Sequence, residues 1–165
     1  MFLETKRLRL RWLTAADARF VLRLVNEPSF LEHIGDKGLR TLEDAKRFLQ
    51  EGYWTCQGKP GYGQFLAELK SDGAPAGVCG LLYREVLDIS DIGFAFLPEH
   101  WGRGLAFESA SAVLRYGSEE LGVERIVGLT TVANLPSIKV LEKLGMKHEG
   151  SVKMTEDDPG TEVYS

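Results

Sequence analysis

The sequence predicts a mixed α+β fold: a central, mostly antiparallel sheet that carries one parallel strand pair and is flanked by helices. Three observations predict it. Two segments in the first third carry apolar residues at helical spacing. The middle of the chain holds three strand-like runs joined by short turns, which is how an antiparallel meander reads. The last third runs strand, glycine loop, long helix, strand, helix, the order of a crossover between parallel neighbours.

Each element has a local reason. Residues 6 to 12, "KRLRLRW", alternate basic and apolar side chains as a strand with one buried face does. In "TAADARFVLRLVN", Thr14 with Asp17 three residues later makes a weak capping box, and Phe20, Val21, Leu24 and Val25 form the stripe. Thr41 caps "LEDAKRFLQEGY", with Leu42, Ala45, Phe48 and Leu49 on one face. "YGQFLAELK" and "APAGVCGLLYRE" are strands separated by Ser71-Asp72-Gly73, a hairpin signal, and "DISDIGFAFL" is a third, stopped by Pro98. From Ala106 to Leu121 the residues Ala106, Ala110, Val113, Leu114, Gly117 and Leu121 fall at helical spacing, and Gly122 ends the run. "RIVGLTT" is the next strand. "NLPSIKVLEKLG" is a helix with Pro136 in its first turn and Gly145 at its end, and "VYS" begins a last strand.

With 165 residues and no repeat, low-complexity tract or Pro/Ser-rich linker, the simplest division is a single domain over 1–165. A chain of this size buries roughly 70% of its unfolded surface, enough for a core without metal or disulfide. Twenty basic against twenty-four acidic side chains give a net charge of -4, which argues against nucleic acid as a partner. Cys56 and Cys79 stand in no metal-ligand or disulfide spacing and read as core residues. No apolar run suits a signal or membrane span, so the expectation is a cytoplasmic protein with no metal and no membrane partner.

The functional signal is "EHWGRGLAFES". A glycine-rich turn opening a helix presents backbone N–H groups without intrahelical partners at the positive end of the helix dipole, a site for phosphate. A P-loop is absent, and Phe107 stands where a dinucleotide fingerprint needs its third glycine.

Here the chain resembles the Gcn5-related N-acetyltransferase (GNAT) superfamily. Trp101-Gly102-Arg103-Gly104-Leu105-Ala106 is similar to its acetyl-CoA loop, Gln/Arg-x-x-Gly-x-Gly/Ala, with Trp101 in place of Gln or Arg. Asn134-Leu-Pro-Ser137 running to Glu-Lys143-Leu-Gly145-Met146 is similar to its "N-x-x-[AS]…EK-x-G-F" segment. "LETKRLRLRWLTAADA" and "IGFAFLPEHWGRGLAFES" resemble the branch that acetylates the N-termini of ribosomal proteins, which also contains enzymes for small amines and drugs.

The resemblance implies a splayed pair of strands, residues 91 to 97 and 126 to 131, into which the pantetheine of acetyl-CoA (coenzyme A), the co-substrate, inserts through main-chain groups near Phe94 and Phe96. The amides around Gly102, namely those of Arg103, Gly104, Leu105, Ala106 and Phe107, would hold the diphosphate, with Asn134, Ser137 and Lys143 completing the cofactor site. Asn134 is also a natural helix cap, and Trp101 reads as packing. The family's usual proton-donating Tyr position is Leu141. Ser137 is the implied substitute, or a Ser satisfying local backbone groups. Glu156 is the implied base, or part of an exposed acidic turn, with Glu108 and His100 in reserve. The expected activity is direct transfer of acetyl to an amine acceptor, a protein N-terminus or a small amine, by a monomer or homodimer. A non-catalytic acyl-CoA-binding module is the rival reading. Residues 27 to 40 are a candidate lining for the acceptor cleft.

Overall fold

The computed structural model describes residues 2–52, 54 and 59–165. In chain order it contains β1 (Phe2–Glu4), β2 (Leu8–Trp12), a 3-10 turn (Ala15–Asp17) leading into α1 (Ala18–Val25), α2 (Pro28–His33), α3 (Leu42–Gln50), β3 (Gly63–Leu69), β4 (Pro75–Arg84), β5 (Ile89–Phe96), α4 (Leu105–Glu119), β6 (Ile126–Thr130), α5 (Leu135–Lys143), β7 (His148–Val152) and β8 (Thr161–Tyr164). The described strands form one sheet in the order β1-β2-β3-β4-β5-β6-β8-β7. Only β5 and β6 run parallel among these neighbours.

The local signals act as chemistry requires. Thr41 Oγ1 accepts from the Asp44 amide at 3.1 Å and Asp44 Oδ2 accepts from the Thr41 amide at 2.8 Å, so α3 starts with two orphan donors satisfied. Asp72 Oδ1 accepts from the Ala74 amide at 3.0 Å and fixes the β3–β4 hairpin.

Strand alternation then divides the core between the two faces of the sheet. Val21, Leu24 and Val25 of α1 and Ala45 and Leu49 of α3 bury against Leu66, Val78 and Leu97. On the other face, Ala110, Val113 and Tyr116 of α4 and Leu141 of α5 cover Leu10, Phe65, Cys79, Leu81 and Ile92. Cys79 is core, as expected of it, whereas Cys56 lies outside the described residues.

Several boundaries differ from the sequence reading. The strand read over residues 6 to 12 starts at Leu8, because Lys6 and Arg7 belong to the turn from β1. Residues 27 to 40 contain α2, opened by Pro28 at its first position. The terminal "VYS" does not begin a strand: Val163 and Tyr164 end β8, which starts at Thr161 and inserts between β6 and β7. Most consequential is the parallel pair. Ser90, Asp91 and Ile92 pair with Ile126, Val127 and Gly128, and there the pairing ends. Beyond Ile92, β5 is held by β4 alone while β6 continues along β8, so a gap opens between their C-terminal halves. The register brings the start of α4, the start of α5, the β1–β2 turn and the β7–β8 connection to this same edge of the sheet.

Candidate active site

The gap is lined by backbone. The Leu97 amide donates to the Ala76 carbonyl at 2.9 Å, so residues in step with Leu97 face β4. The intervening Phe94 and Phe96 therefore turn their amides and carbonyls toward the gap. Trp101 Nε1 donates to the Phe96 carbonyl at 2.7 Å, so the half-exposed indole braces the glycine loop against the end of β5. Among the described residues the ladder pairs neither Phe94 nor Phe96 with β6, so the gap faces their amides and the Phe94 carbonyl. At the end of β6, Thr130 Oγ1 is buried with no hydrogen-bond partner among the described residues. A buried hydroxyl in that condition is costly unless something arrives to bond it.

The loop after β5 is built for an anion. Gly102 has φ +69° and Gly104 φ +74°, the left-handed region in which a side chain is strained. The first helical bond of α4 is from the Glu108 amide to the Gly104 carbonyl at 3.0 Å. Among the described residues the amides from Gly102 to Phe107 have no acceptor, six consecutive donors at a helix N-terminus. Cationic side chains stand beside them. Arg103 is exposed, with Nη1 3.2 Å from His100 Nδ1, and Lys143 Nζ at the end of α5 lies 4.6 Å from the centre of the Phe107 ring.

A brace from the other end of the chain holds this loop. Glu108 Oε1 accepts from Thr5 Oγ1 at 2.6 Å and from the Arg7 amide at 2.7 Å, and Oε2 accepts from Arg7 Nε at 2.7 Å. Arg7 Nη1 then donates to the Arg103 carbonyl at 2.7 Å. Burial by itself would raise the Glu108 carboxyl, but the bonds from Thr5 and Arg7 outweigh it and hold the group below its ordinary value. Glu108, a reserve base in the sequence reading, is occupied as a structural anchor. Glu108→Gln keeps the shape and removes the charge, and because Arg7 is partly exposed the loss is modest. We expect acetyl-CoA affinity to fall roughly tenfold, about 1.4 kcal/mol, in a calorimetric titration.

The second motif is assembled at the start of α5. Asn134 is the N-cap, its Oδ1 accepting from the Ser137 amide at 3.2 Å. This is the capping reading of Asn134, and it leaves the side-chain nitrogen available. Ser137 is half-buried, and among the described residues its hydroxyl has no hydrogen bond. The local backbone bond that would have explained it is made by Asn134 instead. Leu141 is buried against Gly128, where an added β-carbon would collide with it, so the family's Tyr position is core here. Glu156 is exposed in the β7–β8 connection. That connection is shaped by Asp158, whose carboxylate accepts from the Met154 and Gly160 amides and Thr161 Oγ1, each at 2.8 Å. The fold thus gathers Phe94, Phe96, Gly102 to Phe107, Asn134, Ser137 and the Glu156 loop along one edge.

Residues 7–147 match the family described as Acetyltransferase (GNAT) domain. The chain belongs to the GNAT acetyltransferases. A relative from Bacillus subtilis (strain 168), named as an uncharacterized N-acetyltransferase, YnaD, is 30% identical over 93% of this chain and 86% of its own length. An acetyltransferase of the GNAT family from Bacillus anthracis superposes with a TM-score of 0.81 at 26% identity, covering 99% of this chain and 96% of that one. At 18% identity the GNAT fold is shared with RimL, a ribosomal L7/L12 alpha-N-protein acetyltransferase, over 99% of this chain and 96% of that one with a TM-score of 0.78. It is shared at the same identity with a spermidine N-acetyltransferase SpeG chimera, over 95% of this chain and 93% of that one with a TM-score of 0.75. As a GNAT domain this chain is an N-acetyltransferase that uses acetyl-CoA. Among the described residues no helix is long and apolar enough to cross a membrane.

Sequence reasoning did not find Arg7, Thr130 or the part played by Trp101. Arg7 reads as one more basic residue on a strand face, and nothing local connects it with a loop 96 positions away.

Proposed function

We propose that this GNAT domain moves acetyl from acetyl-CoA directly to the α-amine of a protein or peptide N-terminus within a ternary complex. The observation that carries the reading is the run of six amides, Gly102 to Phe107, without an acceptor among the described residues, beside the edge of β5 that β6 leaves unpaired. The diphosphate bonds those amides, and pantetheine pairs with Phe94 and Phe96 as an added strand. Asn134 and Thr130 bond the arm from β6 and α5.

The deprotonated amine attacks the thioester carbon, the tetrahedral oxyanion collapses, and the C–S bond breaks. Ser137 donates a proton to the departing thiolate, and Glu156 takes the proton released by the amine nitrogen. A covalent relay through Cys79 has little support, because burial pushes its thiol up to about 12.

The acceptor assignment rests on the likeness of the chain's opening and of its glycine-loop segment to the ribosomal-protein branch. A small polycationic amine is the second reading, favoured by the exposed Glu156 and Asp157 at the edge of the site. Acetyl-CoA turnover measured against N-terminal peptides, spermidine and aminoglycosides decides between them. Peptide preference supports the first reading, and polyamine or drug preference replaces it. Absence of turnover with bound acetyl-CoA leaves a binding module.

A further inference from the structure

Gln64 is 5% exposed, and its Oε1 has no hydrogen-bond partner among the described residues. Strand alternation puts it on the α1–α3 face of the sheet, in step with Leu66. Its backbone is pinned, the amide donating to the Trp54 carbonyl at 2.5 Å. Gly80, its partner on β4, allows a close approach, since a β-carbon at Gly80 would stand 2.7 Å from the Gln64 Cα. The side chain then crosses β4 and lies over Gly93 of β5, with Nε2 2.9 Å from where a β-carbon of Gly93 would be. Gly93 is the first residue of β5 beyond the last β5–β6 pair. The carboxamide is therefore delivered across two strands to the apex of the gap, on the face opposite α4 and its loop.

From this geometry we infer that Gln64 positions the acceptor amine, and that it favours amines uncharged near neutral pH. The inference rests on the acetyl-transfer reading above. If acetyl-CoA enters from the α4 side, the nucleophile must approach from the other face, where the Gln64 carboxamide lies over Gly93 with Nε2 nearest it and with an Oε1 that no donor among the described residues has taken. The charged neighbours on this face are Asp91, Arg84 and Lys37. The Asp91 carboxylate is engaged by Arg84 at 2.6 and 3.2 Å, and Lys37 lies close enough to Arg84 for their like charges to interact. A carboxylate as acceptor would stabilise the ammonium form and hinder attack, whereas a buried neutral carboxamide does not. An α-amine, with a pKa near 8 against about 10.4 for a lysine-type amine, is roughly 300-fold richer in the neutral form near pH 7. The site's chemistry thus suits N-terminal α-amines over side-chain or polyamine nitrogens.

The orphaned carbonyl also makes a prediction that a structural role would not. Gln64→Leu fills the same space and removes an unsatisfied buried polar group, so melting temperature should hold or rise. Acetyl-CoA affinity by calorimetry should stay within about twofold, while kcat/KM for a free-N-terminus peptide falls at least roughly tenfold, the cost of one buried hydrogen bond. Gln64→Glu should move the acid limb of the kcat profile to higher pH by holding the bound amine protonated. A Gln64→Leu enzyme that keeps acceptor kcat/KM overturns the inference, as does one that loses stability and acetyl-CoA binding together. Preference of the wild type for spermidine over a free-N-terminus peptide overturns the amine class assigned. Wild-type protein that binds acetyl-CoA and acetylates none of these amines removes the transfer reading itself, and this inference with it.

Discussion

Gly104→Val is expected to weaken acetyl-CoA binding at least about a hundredfold while leaving the fold intact. Gly104 caps α4 with φ +74°, and a β-branched residue is a steric outlier there, so the loop must rearrange. Open space surrounds the position apart from Arg7 Nη2, 3.5 Å from where a β-carbon would stand, so the damage comes through backbone torsion and not through core packing. Left-handed backbone costs a non-glycine residue about 1–2 kcal/mol, and each charge-assisted amide bond is worth about 1.5–3 kcal/mol. Misaligning two donors therefore removes about 3–6 kcal/mol, roughly two to four orders of magnitude in Kd. Calorimetry with coenzyme A and with pantetheine, which lacks the diphosphate, separates the cause. Coenzyme A affinity should collapse and pantetheine affinity should stay. Arg103→Gln, touching only an exposed guanidinium, should cost much less and lose its effect at high salt. Undiminished coenzyme A binding by Gly104→Val would place the diphosphate elsewhere.

The elements legible in the sequence were those whose cause is local. The hairpin at Asp72-Gly73, the Thr41 cap and the Asn134 cap each rest on contacts within four residues, and all three are formed. The β3–β4–β5 meander followed from the same short turns. β1 and α2 were missed because three and six residues are too few to display a period, and β7, "HEGSV", because one apolar residue in five shows no alternation. The extent of the gap was beyond reach for another reason, since it shows only where β6 leaves β5 and continues along β8, a pairing between distant segments. Arg7 and Gln64 belong to the same class. Both look like ordinary strand-region residues, and what distinguishes them is a partner gained or withheld by tertiary structure: Arg7 reaches Glu108 and Arg103, while Gln64 Oε1 meets no donor among the described residues. Glu108, held in reserve as a base, gains its partners Thr5 and Arg7 in the same long-range way.

Ser137→Ala is expected to lower kcat roughly a hundredfold, at the lower end of what a positioned proton donor contributes, with acetyl-CoA affinity nearly unchanged. The argument turns on what Ser137 is not doing. It occupies the first turn of α5, where a Ser would ordinarily bond a neighbouring backbone group, yet Asn134 already accepts its amide at 3.2 Å and its hydroxyl has no described partner. The hydroxyl is therefore held by a capped helix without being spent on it, and its removal costs α5 little. Asn134→Ser provides the matching control, because serine caps as well as asparagine does but cannot offer a carboxamide to the pantetheine arm. That variant should raise the KM for acetyl-CoA and leave kcat largely intact, the reverse of Ser137→Ala. Pre-steady-state acetyl transfer is the deciding measurement. If Ser137→Ala transfers acetyl at the wild-type rate in a single turnover, the thiolate takes its proton from water and Ser137 only lines the site.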